Sequence, residues 1–349
     1  MCCSVSPGVE VSFSDTIIYA AEVVNSQDKT VHVLGYQNRA QNDIGSFTAP
    51  LREIGFWNKL KSIFITQPQK NSRETTGNAM ILPFPAVPRS MSKANVLDTK
   101  NCPDILKDIA NALVPPIRSQ SYGSRAMMMP QSAAVEVFEA AGIYTVVLAQ
   151  DARLIPDALN QVPLEKRPKL NPELFKAYAK WYPDWTFALC CFNNKEAKDA
   201  LPMLWWYEPM NPEKLFMPAL DCHTGNIPTL NTSVLVDHSL AVGSIFVEGN
   251  SQVKRITGNC PKCNNPNPDE NNFCLFCGNI LPNAEINLQA NYQRVSYKNS
   301  ISNELKPYLL PQVIGGIYSK IMPNGDFVCQ IDEVRKGIWN PVRTLPPNA

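Results

Sequence analysis

Four cysteines within residues 258–280 have the types and spacing of a metal site. In GNCPKCNNPNPDENNFCLFCGNI, Cys260 and Cys263 form one Cys-x-x-Cys pair, and Cys274 and Cys277 form a second. The two residues inside each pair make a tight turn that directs both sulfurs at one point, and four thiolates suit the tetrahedral coordination of Zn²⁺. Because four protein ligands leave no open position on the metal, the predicted site is structural rather than catalytic.

The residues around these cysteines also indicate a structural zinc site. The spacer NNPNPDENNF is polar and turn-forming, so metal binding must supply the folding free energy of the segment. The C-P-x-C at 260–263, the ten-residue spacer and the F-C-x-x-C-G at 273–278 resemble the short zinc-ribbon family common in bacterial proteins. Asn264 departs from that family, where glycine often follows the first pair, but asparagine tolerates the same positive φ.

Two roles are open for such a ribbon. It could be a docking module for a partner protein or nucleic acid, or a metal clip that orders a Pro/Asn-rich insertion. Lys254, Arg255 and Lys262 lie in the ribbon or just before it, and three cations are few for binding phosphates. A partner protein is therefore favoured over nucleic acid.

The N-terminal residues MCCSV provide a different chemical hypothesis. If Met1 is removed, Cys2 becomes an N-terminal thiol whose own α-amine can act as its base at cellular pH. This opening resembles the N-terminal-nucleophile amidohydrolases, whose mature chains begin with cysteine and continue directly into a strand. Cys3 departs from the glutamine amidotransferase pattern, which has glycine there. The alternative is an ordinary pair of thiols at the start of a strand.

A second set of metal-ligating and acid–base residue types lies in LDCHTGNIPTLNTSVLVDHSL, residues 220–240. The set consists of Asp221, Cys222, His223, Asp237 and His238. These residues can form a metal or acid–base site only if the fold brings them together. Otherwise they are polar strand ends with locally hydrogen-bonded histidines, which is the favoured interpretation.

Three further features have a structural interpretation. His32 alternates with apolar neighbours and is expected to be a surface residue or a hydrogen-bonded one. Cys190 and Cys191 lie in a predicted strand, where adjacent side chains face opposite sides, so only one of them could join a site. The aromatic run WWY at 205–207 could stack a ligand, but within an apolar strand it is predicted to be core.

Composition limits the function classes. With 32 basic and 31 acidic residues the net charge is +1, so no large field attracts nucleic acid or an anionic membrane. The longest apolar runs, such as IYTVVLA at 143–149, are too short to cross a bilayer, and no secretory signal is visible. Eleven cysteines without an export signal predict reduced thiols or metal ligation in a cytoplasmic protein. The phosphate-loop, dinucleotide, H-E-x-x-H and G-x-S-x-G motifs are missing, which argues against common enzymes.

The element pattern predicts an α+β fold, mainly antiparallel strands with few helices. Strands are expected at DTIIYAAEVV and TVHVLGY as a hairpin, at NAMILPF and within VEVFEAAGIYTVVLAQD. Later apolar runs, including SVLVDHSL, VGSIFVEG and GDFVCQIDEV, are expected to be further strands. CPDILKDIANALVPP and NPELFKAYAKWYP predict helices, the second capped by Asn171 with Pro172 first. The predicted domains are a body at 1–250, the ribbon at 257–282, and residues 283–349 as a separate unit or a completion of the body.

Outside the ribbon, FSDTIIYAAEV, NAMILPFPAVP and VLVDHSLAVGS faintly resemble an uncharacterised strand-rich bacterial domain family, over residues 10–245. That resemblance implies no activity. The sequence therefore predicts a binding or assembly protein whose zinc ribbon contacts a partner protein. The alternatives are an amidohydrolase that uses Cys2 and a nucleic-acid-associated factor, and the prediction leans away from an enzyme.

Overall fold

The computed structural model describes residues 12–41, 77–113, 134–193, 196, 201–222, 224–230, 232–247 and 292–349. These residues form three sheets and four short α-helices, so the predicted α+β class is confirmed. In these ranges no helix combines the length and the apolar character needed to cross a bilayer.

A seven-stranded sheet contains the N-terminal hairpin and strands from near the C-terminus, in the order β11-β12-β10-β1-β2-β8-β4. Its neighbours pair antiparallel except β1 and β10, which are parallel. The strands are β1 (Ser12–Val24), β2 (Thr30–Gln41), β4 (Val96–Leu97), β8 (Met203–Tyr207), β10 (Ser233–Ser244), β11 (Gln293–Arg294) and β12 (Gln312–Pro323).

Two smaller antiparallel sheets complete the strand content of the described residues. The four-stranded sheet has the order β3 (Asn78–Phe84), β7 (Thr186–Phe192), β6 (Tyr144–Ala149) and β5 (Val135–Ala140). The three-stranded sheet has the order β14 (Val342–Thr344), β13 (Asp326–Gln330) and β9 (Lys214–Met217). Pro83 lies in β3, an edge strand of this sheet, which is where sheets tolerate proline.

The helices are α1 (Ile105–Ala112), α2 (Ile155–Ala158), α3 (Pro172–Trp181) and α4 (Ile331–Arg335). The two predicted helices are confirmed as α1 and α3. The Asn171 side chain accepts a hydrogen bond from the Glu173 N–H at 3.1 Å, and Pro172 occupies the first turn. Both helices bury one apolar face, which fixes their orientation on the sheets.

The core has three apolar layers. One layer fills the space between the seven-stranded and four-stranded sheets, one lies between the four-stranded sheet and α3, and one lies between the seven-stranded sheet and α1. Cys190 belongs to the first layer and Cys191 to the second, as strand alternation predicts. Trp205 and Tyr207 are buried in the first layer, so the core interpretation of this aromatic run is correct for them.

The sequence correctly predicts the β1–β2 hairpin and is wrong about two later segments. In the hairpin turn, Asn25 accepts hydrogen bonds from the Gln27 and Lys29 N–H groups, and Asp28 has a φ of 58°. The run GDFVCQIDEV is β13 followed by α4, because acidic residues open that helix and Arg335 closes it. The runs SVLVDHSL and VGSIFVEG share one strand, β10, as far as Ser244.

Candidate functional site

Several predicted site residues lie outside the described residues, and what was predicted for them stays a prediction. They are Cys2, His223, Cys260, Cys263, Cys274 and Cys277. Within the described ranges, no group of three or more His, Cys, Asp or Glu side chains is arranged to hold a metal ion.

Asp221 and Cys222 lie beside the three-stranded sheet. The Asp221 N–H donates to Asn324 Oδ1 at 2.8 Å, and Asn324 Nδ2 donates back to the Asp221 carbonyl at 3.2 Å. Cys222 Sγ is 3.2 Å from the Tyr178 hydroxyl, in the buried layer under α3. These contacts tie the chain after β9 to the turn after β12 and to α3.

Asp237 and His238 lie elsewhere, in the middle of β10. Asn324 follows Pro323, which pairs with Ser233 at the start of β10. His238 is five residues further along that strand, or roughly 16 Å at the rise of an extended chain. The described members of the polar set therefore form two separate pairs.

A cavity of about 300 Å³ lies where Asp237 and His238 approach α1. Its wall also includes Lys107, Asn111 and Lys298. Both lysines already face carboxylates: Lys107 Nζ is 2.8 Å from Asp104, and Lys298 Nζ is 3.4 Å from the buried Asp108. Each of these cations therefore has a carboxylate partner, and Asp237 adds a further acidic group, so the wall of the cavity is of mixed charge.

A polar row crosses the other end of the seven-stranded sheet. Strand register places Ser244 of β10, Glu22 of β1, His32 of β2 and Tyr207 of β8 side by side. Directly paired residues share one face of a sheet, so these four side chains point the same way. Glu22 was not predicted as a site residue, although a carboxylate inside the apolar strand TIIYAAEVV is a visible signal.

Both carboxylate oxygens of Glu22 accept hydrogen bonds within the protein. Its carboxylate accepts from Arg335 Nη2 at 2.6 Å and Nε at 3.0 Å, and from Ser244 Oγ at 2.6 Å. The row contains the residue types of a Ser–His–acid triad in the wrong order, because Glu22 lies between Ser244 and His32. The arrangement is a clamp that fixes α4 to the sheet, and not a hydrolytic site.

His32 is the unusual member of the row. The expectation of a surface histidine is wrong, because the side chain is fully buried. The Pro212 carbonyl is near the ring, although neither ring nitrogen forms a hydrogen bond of good geometry among the described residues. Its ring lies edge-on to Tyr207, with centroids 5.8 Å apart. Burial lowers the pKa of His32 to about 4, and the Glu22 charge and the nearby Pro212 carbonyl oppose that change only in part.

We expect His32 to make the protein more stable as the pH rises from about 4 to about 6.5. Between these pH values His32 binds a proton in the unfolded protein but not in the folded protein. The free energy of unfolding therefore has its full value above pH 6.5 and decreases as the pH falls. A pKa lowered from 6.5 to about 4 corresponds to about 3 kcal/mol. Urea denaturation at several pH values would show this slope in the native protein and a smaller one in His32→Phe.

A second buried charge, Asp326 in β13, connects that strand to the residues that follow β9 and to the end of α3. Asp326 Oδ1 accepts from the Ala219 and Leu220 N–H groups at 2.8 and 3.0 Å, and Oδ2 accepts from the Tyr182 hydroxyl at 2.5 Å. Arg343 donates to the Ala219 and Pro323 carbonyls. Burial raises the pKa of Asp326 and lowers the pKa of Arg343 to about 10, against their mutual attraction.

The described cysteines, Cys102, Cys190, Cys191, Cys222 and Cys329, are buried and form no disulfide with one another. Burial raises the pKa of the Cys190 and Cys191 thiols, and that of Cys329 to about 12. Thiols held in the protonated form are poor nucleophiles. These side chains therefore pack the core.

No family model matches the chain, and no curated protein matches it. Among solved structures it is similar to baculovirus P35, at 13% identity over 93% of this chain and 91% of that one, with a TM-score of 0.37. A mutated baculovirus P35 after caspase cleavage matches at 15% identity, 68% of each chain and a TM-score of 0.33. A caspase-8/P35 complex matches at 16% identity, 68% of this chain and 66% of that one, with a TM-score of 0.34. Likeness at this level assigns neither fold family nor function.

Apolar side chains are exposed on β10 and β12, on the sheet face that α1 covers in part. Leu235 is 68% exposed, its cross-strand partner Ile321 is 73% exposed, and Ile317 is 57% exposed. Scattered apolar side chains are common on protein surfaces, but these three lie on adjacent strands and form an apolar stripe, which the Asp237–Ser319 pair interrupts.

Proposed function

We propose that this chain is a binding or assembly protein in which a structural zinc ribbon contacts a partner protein. The observation that carries the proposal is the spacing of Cys260, Cys263, Cys274 and Cys277. Four thiolates close the coordination sphere of Zn²⁺, so the metal would provide rigidity and leave the surrounding loop available for contact.

The attachment of the ribbon segment supports this proposal. β10 ends at Ser244 and β11 begins at Gln293, and both strands pair with β12 in the seven-stranded sheet. The segment between them therefore leaves and re-enters one rigid scaffold. Loops held by such scaffolds commonly carry recognition surfaces. Ile245 and Phe246, directly after β10, are 44% and 43% exposed, so apolar side chains are accessible where the chain leaves the sheet.

We expect one Zn²⁺ per chain in the native protein and none in the double variant Cys260→Ser, Cys274→Ser. Native mass spectrometry of both proteins measures the metal directly. Affinity purification from extracts of the source cells should recover a partner protein with the native chain and not with the double variant. Cys102→Ser is the matched control, because this body cysteine donates to the Ser300 carbonyl at 3.2 Å and serine keeps that donor.

Absence of zinc from the native protein would refute the ribbon. A double variant that loses zinc but recovers the same proteins would identify the ribbon as a clip and contradict the docking role. The amidohydrolase hypothesis at Cys2 and the nucleic-acid hypothesis stay predictions of the sequence.

A further inference from the structure

We propose that the chain pairs with a second copy of itself through β12, strand edge to strand edge, about a two-fold axis at Ser319. The proposal concerns the sheet and is independent of the ribbon. It starts from the position of β12 in the seven-stranded sheet. β11 pairs only with Gln312 and Val313 of β12, so residues 314–323 form a sheet edge within the described part of the chain.

Within the described residues this edge is long and weakly protected. Ten residues of extended chain pair on one side with β10, and on the other side no described strand pairs with them, although Arg343 donates to the Pro323 carbonyl at one end. Natural edge strands are usually short, bulged or charged, because an open edge is a template for another strand. Lys320 is the single charged residue in 314–323.

The side chains of the edge alternate between two faces. Ile317, Ser319 and Ile321 point to the face that carries the apolar stripe, and Tyr318 and Lys320 point to the other. Lys320 Nζ lies 5.3 Å from the centroid of the Tyr318 ring, a cation–π contact within one strand. The edge therefore presents an apolar row and a Tyr–Lys row.

An antiparallel copy matches both rows in one register. With the two-fold axis at Ser319, Ile317 lies opposite Ile321 of the second copy, and Tyr318 lies opposite Lys320 of the second copy. Aliphatic and cation–aromatic pairs across neighbouring strands are stabilising. The two seven-stranded sheets would then form one continuous sheet, with the apolar stripes of both copies joined on one face.

Neighbouring registers are less favourable. Because paired residues must share a face, the axis moves in steps that keep this parity. An axis at Lys320 places the two Lys320 ammonium groups opposite each other, which is destabilising. An axis at Tyr318 places Lys320 opposite Gly316, which offers it no side chain. The sequence of the edge thus selects the Ser319 register and a second copy as occupant.

The mass of the full chain in solution tests this proposal. Sedimentation velocity across a concentration series should show a monomer–dimer equilibrium for the native protein. The variant Ile317→Lys, Ile321→Lys should be monomeric throughout, because lysines then face each other across the edge. Leu235→Lys is the matched control: it is equally exposed on the same face but one strand further in, so edge pairing should persist. Loss of the dimer in the control would indicate face-to-face packing and overturn the proposal.

A covalent trap gives a second readout that does not rely on the lysine variants. Ser319→Cys should form an intermolecular disulfide under mild oxidation, because its own symmetry mate lies directly opposite, at about 5 Å between Cα atoms. Leu235→Cys should not, because strand spacing and rise separate it from its mate by roughly 20 Å. A native protein that stays monomeric at every concentration, or a dimer that Ser319→Cys fails to cross-link, would overturn the proposal.

Discussion

Replacing Arg335 by methionine is expected to lower the free energy of unfolding by about 3 kcal/mol. Glu22 has 1% side-chain exposure, and Arg335, at 30%, is its charged partner. Removal of one member of a buried pair leaves the other charge without compensation, and this typically costs about 3–5 kcal/mol. The lower end applies because Arg335 is in partial contact with solvent. Urea denaturation of the two proteins at neutral pH measures the difference.

Two controls separate the buried charge from the lost contacts. The double variant Glu22→Gln, Arg335→Met removes both charges and should recover part of the loss. Arg153→Met removes the cation from a surface pair with Asp151, and this should leave stability almost unchanged. If Arg335→Met were no more destabilising than Arg153→Met, the clamp would not be a stabilising element.

Asp326→Ala is expected to have an effect at least as large, about 3–5 kcal/mol. The change leaves the Ala219 and Leu220 N–H groups and the Tyr182 hydroxyl buried without their acceptor, and it removes the opposite charge that faces Arg343. Buried donors without a partner lose about 1–3 kcal/mol each, and part of that loss is recovered by local relaxation. Thermal and urea unfolding should both show the loss.

Asp326→Asn is the matched variant for this site. The amide oxygen can still accept from the two backbone N–H groups, so the loss should be about half that of the alanine variant. Equal losses for asparagine and alanine would mean that the charge facing Arg343, and not the hydrogen bonds, holds these segments together.

Local chemistry explains why some elements were predictable. The β1–β2 hairpin has apolar strands on either side of a polar turn, and Asn25 supplies the turn hydrogen bonds. The helix α3 begins with a capping asparagine followed by proline, a signal contained within two residues. In each case the residues that decide the structure are neighbours in the chain.

The polar row could not be predicted because its partners are distant in sequence. Glu22 meets Ser244 and Arg335 only after β10 pairs parallel to β1 and α4 packs against the sheet. His32 looked like an ordinary alternating strand residue, and its burial follows from coverage by segments far along the chain. The ribbon differs from the polar row, because its four cysteines can be recognised from their spacing in the sequence but lie outside the described residues.

The parallel pairing of β1 with β10 has a consequence for synthesis of the chain. A ribosome completes the β1–β2 hairpin early, but the strand that covers the other side of β1 begins only at Ser233. At about 5–20 residues per second, roughly 10–40 s pass between the emergence of β2 and that of β10. During this interval the apolar strand TIIYAAEVV keeps one open edge. The nascent hairpin is therefore an apolar segment that benefits from protection by chaperones until β10 is made, and Arg335, the charged partner of Glu22, is synthesised later still.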